Sequence, residues 1–138
     1  MPWQNLLFEY PVRIRESHLD TFGHVNNAKY LEIFEEARWE LISKNGYGLN
    51  EVHERQIGPI ILGVNIQFKK ELLNREEIVI TTQVESYEGK IAKLCQKILK
   101  SNGDEACIAN FTFGLFDFQK RKLIVPTPEW LKAIGVPS

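Results

Sequence analysis

The chain has 138 residues, 43% of them hydrophobic and 25% charged, and its seventeen Lys and Arg nearly balance eighteen Asp and Glu to leave a net charge of −1. A chain of that length can bury a real core without metal or disulfide staples, and so even a charge balance carries no electrostatic footprint for nucleic acid. No apolar run approaches the ~20 residues a bilayer span needs, so no membrane partner is expected.

Cys95 and Cys107 are the only cysteines; they fit no common zinc spacing and no secreted disulfide framework, and both read as small buried residues. The opening MPWQNLLFEYP lacks a basic region followed by a long apolar one, so the expectation is a cytoplasmic protein without a secretory leader. With no repeat, low-complexity tract or Pro/Gly/Ser linker, residues 1–138 are expected to form a single domain.

Taken in chain order, the first expected strand is Pro11–His18, where Val12 and Ile14 alternate with Arg13 and Arg15. A polar, glycine-containing segment follows from Leu19 to Asn26. From Asn27 to Lys44, Tyr30, Leu31, Phe34, Ala37, Leu41 and Ile42 recur at helical spacing. Asn26 or Asn27 can cap this helix, Asn45-Gly46 can stop it, and its eighteen residues span about 27 Å. Beyond it the period becomes that of strands. Val64, Ile66 and Phe68 alternate with polar neighbours, and Glu77–Ser86 carries Ile78, Ile80, Thr82 and Val84 on one face. Ile91–Lys100 and Ala106–Phe118 are predicted to form a hairpin around Ser101-Asn102-Gly103-Asp104, with a tight primed turn at Asn-Gly. Tyr87-Glu88-Gly89-Lys90 marks another reversal, and a short helix after Pro126-Thr127-Pro128 is expected to pack through Trp130, Leu131 and Ile134. One strand, one long helix and four strands joined by short turns make an α+β layout, an antiparallel sheet wrapped around one central helix.

The chemistry is concentrated in His18–Tyr30, which puts Asp20, His24, Asn26 and Asn27 into a short connection entering a helix. A helix N-terminus offers unpaired backbone N–H groups and the positive end of a dipole, a setting that polarises a carbonyl and stabilises an oxyanion formed from it. Thioester hydrolysis needs little more. A thiol ionises near pH ~8.5 and leaves readily, so one carboxylate acting as nucleophile or general base, with an oxyanion site, suffices. By the residues alone, Asp20 serves equally as a turn former, His24 as a loop histidine, and Asn26 and Asn27 as helix starters.

Asp-Thr-Phe-Gly-His-Val-Asn-Asn-Ala-Lys-Tyr, positions 20 to 30, resembles the D-x-x-G-H-V-N-N-x-x-Y signature of the 4-hydroxybenzoyl-CoA thioesterase-like family of hot-dog proteins. Leu31-Glu32-Ile33-Phe34-Glu35-Glu36-Ala37-Arg38 is similar to the helix of bacterial acyl-CoA thioesterases, and the resemblance extends over nearly the whole chain. It implies a hot-dog fold, an acyl-CoA thioesterase activity, a homodimer or homotetramer, and active sites at subunit boundaries. It further implies that Asp20 is the catalytic carboxylate and that the Asn27 N–H polarises the thioester carbonyl. His24 matches a histidine with a catalytic role in plant acyl-carrier-protein thioesterases, although the asparagine those enzymes place two residues after the aspartate is Phe22 here. Val25, Asn26 and Tyr30 are expected to shape the site.

CoA belongs to the substrate, so no separate cofactor is expected; its phosphates want basic side chains, for which Lys69 and Lys90 are candidates together with Lys70 and Lys93. Relatives carry an arginine before the glycine of the turn where this chain has Glu88-Gly89. Glu35 lies about 12 Å along the helix from Asn27 and is expected, like Glu36, in an ion pair with Arg38 or Lys44. No G-x-S-x-G is present, Gly58–Gly63 is followed by Val64 rather than the lysine of a phosphate loop, and His18, His24 and His53 form no metal set, so no metal site is expected. Two competitors stay open: a non-catalytic acyl-thioester binding module on the same fold, and hydration of an enoyl thioester.

Overall fold

The central helix forms where its periodicity predicts. In the structure, a computed structural model that describes residues 5–137, α1 runs Asn27–Lys44. Asn26 is the N-cap, its Oδ1 accepting from the Ala28 N–H at 2.9 Å and satisfying one of the donors that every helix start leaves open. At the far end Gly46, with φ +87°, takes the left-handed conformation that ends the turn. Tyr30, Ile33, Phe34, Ala37, Leu41 and Ile42 are buried. Leu31, expected on this stripe, is instead 41% exposed. At about 100° per residue it falls beside the stripe, and Ile33 falls on it.

Six strands make up the sheet: β1 Phe8–Arg13, β2 Ile57–Phe68, β3 Glu77–Glu88, β4 Ile91–Lys100, β5 Glu105–Asp117 and β6 Lys122–Ile124. Their order is β1-β3-β4-β5-β2, with β6 on β5, and every pairing is antiparallel. Ile78, Ile80 and Val84 of β3, Leu94 and Ile98 of β4, and Phe111, Phe113 and Leu115 of β5 are buried in one cluster with the α1 stripe. Phe34 and Phe111 meet edge to face, 6.1 Å between centroids. Each such large apolar side chain contributes about 1.5–3 kcal/mol by leaving water. An antiparallel sheet around one long central helix is the hot-dog arrangement that the resemblance implies.

Several boundaries differ from expectation. The first strand is Phe8–Arg13, not Pro11–His18, because its partner β3 begins at Glu77 opposite Arg13; beyond that point Glu16–His18 coil into a 3₁₀ turn. A second helix, α2 (Leu49–Arg55), was not expected: it buries only Val52 and so carries no apolar stripe to read. The strand holding Val64, Ile66 and Phe68 starts at Ile57, and β6 is additional, so five strands follow α1 rather than four. Nor does β2 pair with the strand after it; it lies at the far edge against β5.

The β4–β5 hairpin forms as predicted, but its turn is not primed. Gly103 (φ +91°) holds the positive φ and donates to Lys100 O at 2.8 Å, a type I turn closed by a left-handed glycine. In the β3–β4 reversal Gly89 (φ +62°) occupies the first central position, which suits a two-residue II′ turn. α3 (Pro128–Ala133) follows Thr127, whose Oγ1 accepts from the Trp130 N–H at 3.2 Å, and buries Trp130 and Ala133. Cys107 is buried and Cys95 half-buried, both free; burial pushes the Cys107 thiol up to about 12, which leaves it inert. Among the described residues no helix is long and apolar enough to cross a membrane.

Gly114 is a packing constraint. A Cβ there would lie 2.7 Å from Lys90 O and 2.8 Å from Leu123 Cδ2. Gly114→Ala is expected to destabilise the fold by about 1–3 kcal/mol, read as a lower urea midpoint with an unchanged slope; an unchanged midpoint would mean that the Lys90 backbone yields freely.

Candidate active site

The connection between β1 and α1 is a closed loop. Leu19 and Val25 bridge as antiparallel partners. The Asp20 N–H donates to His24 O at 2.8 Å, and the Gly23 N–H to Asp20 O at 3.1 Å, with Gly23 at φ +81°. Asp20 Oδ1 accepts from the N–H groups of Phe22, at 2.9 Å, and His24, at 3.2 Å. The turn-forming role open to this aspartate is therefore real, and it uses one carboxylate oxygen. Among the described residues Oδ2 has no hydrogen-bond partner, so the loop fixes an exposed carboxylate with one oxygen free.

Immediately after this loop, α1 begins at the floor of an open groove of about 470 Å³. His24, Val25, Asn27 and Tyr30 line one side, and Phe68, Lys69, Lys70, Glu71 and Leu72 the other. Asn27 is the first residue of α1, and among the described residues its N–H has no acceptor. Tyr30 and Phe68 stack edge to face at 4.8 Å; burial pushes the Tyr30 phenol up to about 12, so at neutral pH it is a neutral wall. His24 Nε2 pairs with the Glu71 carboxylate and closes the groove across its two sides.

Five of the eight residues singled out from sequence therefore meet in this groove: His24, Val25, Asn27, Tyr30 and Lys69. Asn26 caps the helix beside it. Asp20 sits on the adjoining turn and does not line the groove within one chain. Lys69 lies at the mouth with its Nζ 3.7 Å from Glu105, while Lys70 pairs with Asp104 at 2.8 Å. Lys90 is elsewhere. It follows β3 at the opposite end of the sheet, separated from the Lys69 end by the length of β4, about 30 Å. The ion pairs expected of Glu35 and Glu36 do not form among the described residues: Glu36 accepts from the Tyr10 hydroxyl at 2.8 Å, and Lys44 lies over the Phe8 ring. Sequence reasoning missed Phe68, Glu71 and Leu72, which reach the groove only through the end of β2.

A second, more enclosed cavity of about 120 Å³ lies between the C-terminal half of α1 and the sheet, bounded by Arg38, Ile42, Pro59, Ile61, Val84, Leu94 and Phe113 among others. It opens beside the start of β2, whereas the groove lies beside its end.

Residues 12–135 match the thioesterase-like superfamily. The chain belongs to that superfamily. The match includes the Asp20 loop, α1 and all the strands except β1, of which it takes in only Val12 and Arg13. Among curated proteins, the long-chain acyl-CoA thioesterase FadM of Escherichia coli (strain K12) is 32% identical over 114 residues, 82% of this chain and 86% of that protein. Among solved structures, the Escherichia coli thioesterase-family protein YbaW superposes with a TM-score of 0.81 at 27% identity, over 92% of this chain and 98% of that one. SAV2348 of Staphylococcus aureus, solved in complex with CoA, reaches 0.86 at 17% identity over 100% of this chain and 90% of that one, a likeness of fold.

Proposed function

We propose that the protein is a cytoplasmic acyl-CoA thioesterase that works as a homodimer, with Asp20 as nucleophile or general base and the Asn27 N–H as carbonyl polariser. The observation that carries this reading is the pairing of a carboxylate held by one oxygen with an open helix N-terminus a few residues on. A thioester carbonyl directed at the Asn27 N–H would meet the dipole of an eighteen-residue helix as its oxygen gains charge. As nucleophile, Asp20 Oδ2 would attack the carbonyl carbon and expel CoA thiolate, and water would then hydrolyse the resulting anhydride. As general base, it would take the proton of a water attacking the same carbon. Either route ends in free acid and CoA without a further cofactor. FadM, which hydrolyses acyl-CoA thioesters by its name, supports the substrate class, and the CoA bound to SAV2348 supports the carrier. His24 would hold the groove closed through Glu71, and Lys69 would stand at the mouth for the CoA phosphates. Two free cysteines suit a reducing compartment.

The dimer is supported by β2. As the terminal strand it has an edge unpaired among the described residues, and Ile61, Leu62, Val64 and Phe68 are each more than 40% exposed along it. A long apolar edge of that kind calls for a partner. A two-fold axis at such an edge pairs it antiparallel with its copy. The end of one β2, with the Asn27 groove, then comes beside the start of the other, with the cavity under α1. The active site would thus span both copies, and Lys90 of each would move toward the other's groove.

Free-thiol release from acyl-CoAs spanning short to long chains and aromatic acids tests the reading: multiple turnovers on at least one are expected. Tight binding of an acyl-CoA with no thiol released would make the protein a binding module instead.

A further inference from the structure

Arg38 leaves α1 toward the interior rather than toward solvent. Its Nη1 donates to Gln96 Oε1 at 2.9 Å, and its guanidinium lies 4.4 Å from the centroid of the Phe111 ring. Gln96 is fully buried and cannot turn away, because its Nε2 already donates to Phe34 O at 3.0 Å and Thr82 Oγ1 at 2.9 Å. The amide therefore presents its oxygen to Arg38 and holds the guanidinium in place. A guanidinium has five N–H donors. Among the described residues Gln96 is the only hydrogen-bond acceptor Arg38 has, and no carboxylate forms an ion pair with it. Burial pulls Arg38 down to about 10, with Glu35 one turn away opposing the shift, so at neutral pH the group remains a cation.

A half-buried cation with most of its donors unbonded faces a cavity that is polar elsewhere only at Glu35 and Thr82 and otherwise mainly apolar, with Ile42, Val84, Leu94 and Phe113 among its walls. Taking a charge from water without a partner is costly, and an acceptor arriving with a ligand offsets that cost. The cavity, about 120 Å³, compares with the ~150 Å³ of an apolar cavity that accepts benzene, so it suits the end of an acyl group about six heavy atoms in size.

We propose that this cavity receives the distal end of the acyl group, and that Arg38 is a specificity-determining residue that favours acyl groups bearing an oxygen acceptor there. The assignment rests on the acyl-CoA thioesterase reading and names the substrate class of that site. A pocket built to donate hydrogen bonds discriminates against an analogue without the acceptor, because donors that the bound ligand shields from water are then left unpaired.

The test uses three thioesters of one chain length: hexanoyl-CoA, 5-oxohexanoyl-CoA and adipoyl-CoA, the last two presenting a ketone and a carboxylate. For the wild-type protein, kcat/KM is measured for each, and Kd is measured by calorimetry for the matching non-hydrolysable thioethers. At least one oxygenated member is expected to be preferred over hexanoyl by about tenfold or more in both quantities. Arg38→Met is expected to bring that ratio within about threefold of unity. Which member leads tells a neutral acceptor from an anion. Equal or better handling of the hexanoyl compounds by the wild type overturns the assignment whether or not the variant folds, and so does a preference that survives Arg38→Met. Binding that favours an oxygenated thioether, with no hydrolysis of any thioester, would retain the Arg38 pocket and sink the thioesterase reading alone.

Discussion

Asp20→Asn is expected to lower thiol release by at least about 100-fold while leaving the melting temperature and circular dichroism of the protein unchanged. The magnitude is that of removing a positioned general base or nucleophile. The geometry makes this substitution a clean probe. Asp20 Oδ1 accepts from the Phe22 and His24 N–H groups, and the amide oxygen of an asparagine can accept the same two bonds. What changes is the free Oδ2, replaced by an NH₂ that neither attacks a carbonyl nor accepts a proton from water. Asp20→Ala would remove the turn bonds as well and confuse the two roles. On the proposed reading the chemistry would fall to one oxygen, while the turn bonds fall on the other. Equal rates in parent and Asp20→Asn would remove Asp20 from the reaction and leave the helix N-terminus as a binding feature only.

The division between those two oxygens also shows how far local sequence can be read. The contiguous segment from Asp20 to Tyr30 was legible as a turn entering a helix because its hydrogen bonds close within one loop and one helix turn. α1 was legible to its ends because a long buried stripe, an asparagine cap and an Asn-Gly stop all agree. α2 left no trace, since a single buried valine makes no period, and the first half of β2 was masked by Gly58-Pro59, residues that an edge strand tolerates. The opposite wall of the groove was beyond reach for another reason. Phe68, Glu71 and Leu72 come to α1 only because β2 crosses to the far edge and pairs with β5, and no local pattern encodes a long-range pairing. The same applies to Arg38 and Gln96: from sequence, Arg38 looked like a partner for the helix carboxylates, whereas β4 supplies it with an amide. Lys90, a basic residue next to a turn, lies at the other end of the sheet from the groove of its own chain, a separation that no local pattern reveals.

Val64→Lys is expected to convert the protein from dimer to monomer in light scattering and to lower thiol release by more than about tenfold, with its secondary structure retained. Val64 lies near the middle of the exposed run from Ile61 to Phe68, is 44% exposed, and pairs on its bonded side with Phe111 of the same chain. Where β2 pairs antiparallel with its own copy, the middle of the strand lies nearest the two-fold axis, so a lysine there faces the same lysine of the partner. Like charges opposed across a strand pair are destabilising, and lysine is a residue natural edges use to prevent such pairing. The loss of activity follows from the two ends of β2. The Asn27 groove lies at one end and the Arg38 cavity at the other, and in the proposed dimer a second, reversed copy would bring them together. The two readouts separate two claims. A variant that stays dimeric would show that copies associate through some other surface. A monomer hydrolysing at the parent rate would show that one chain holds a complete site, with the acyl group confined to the groove between α1 and the end of β2.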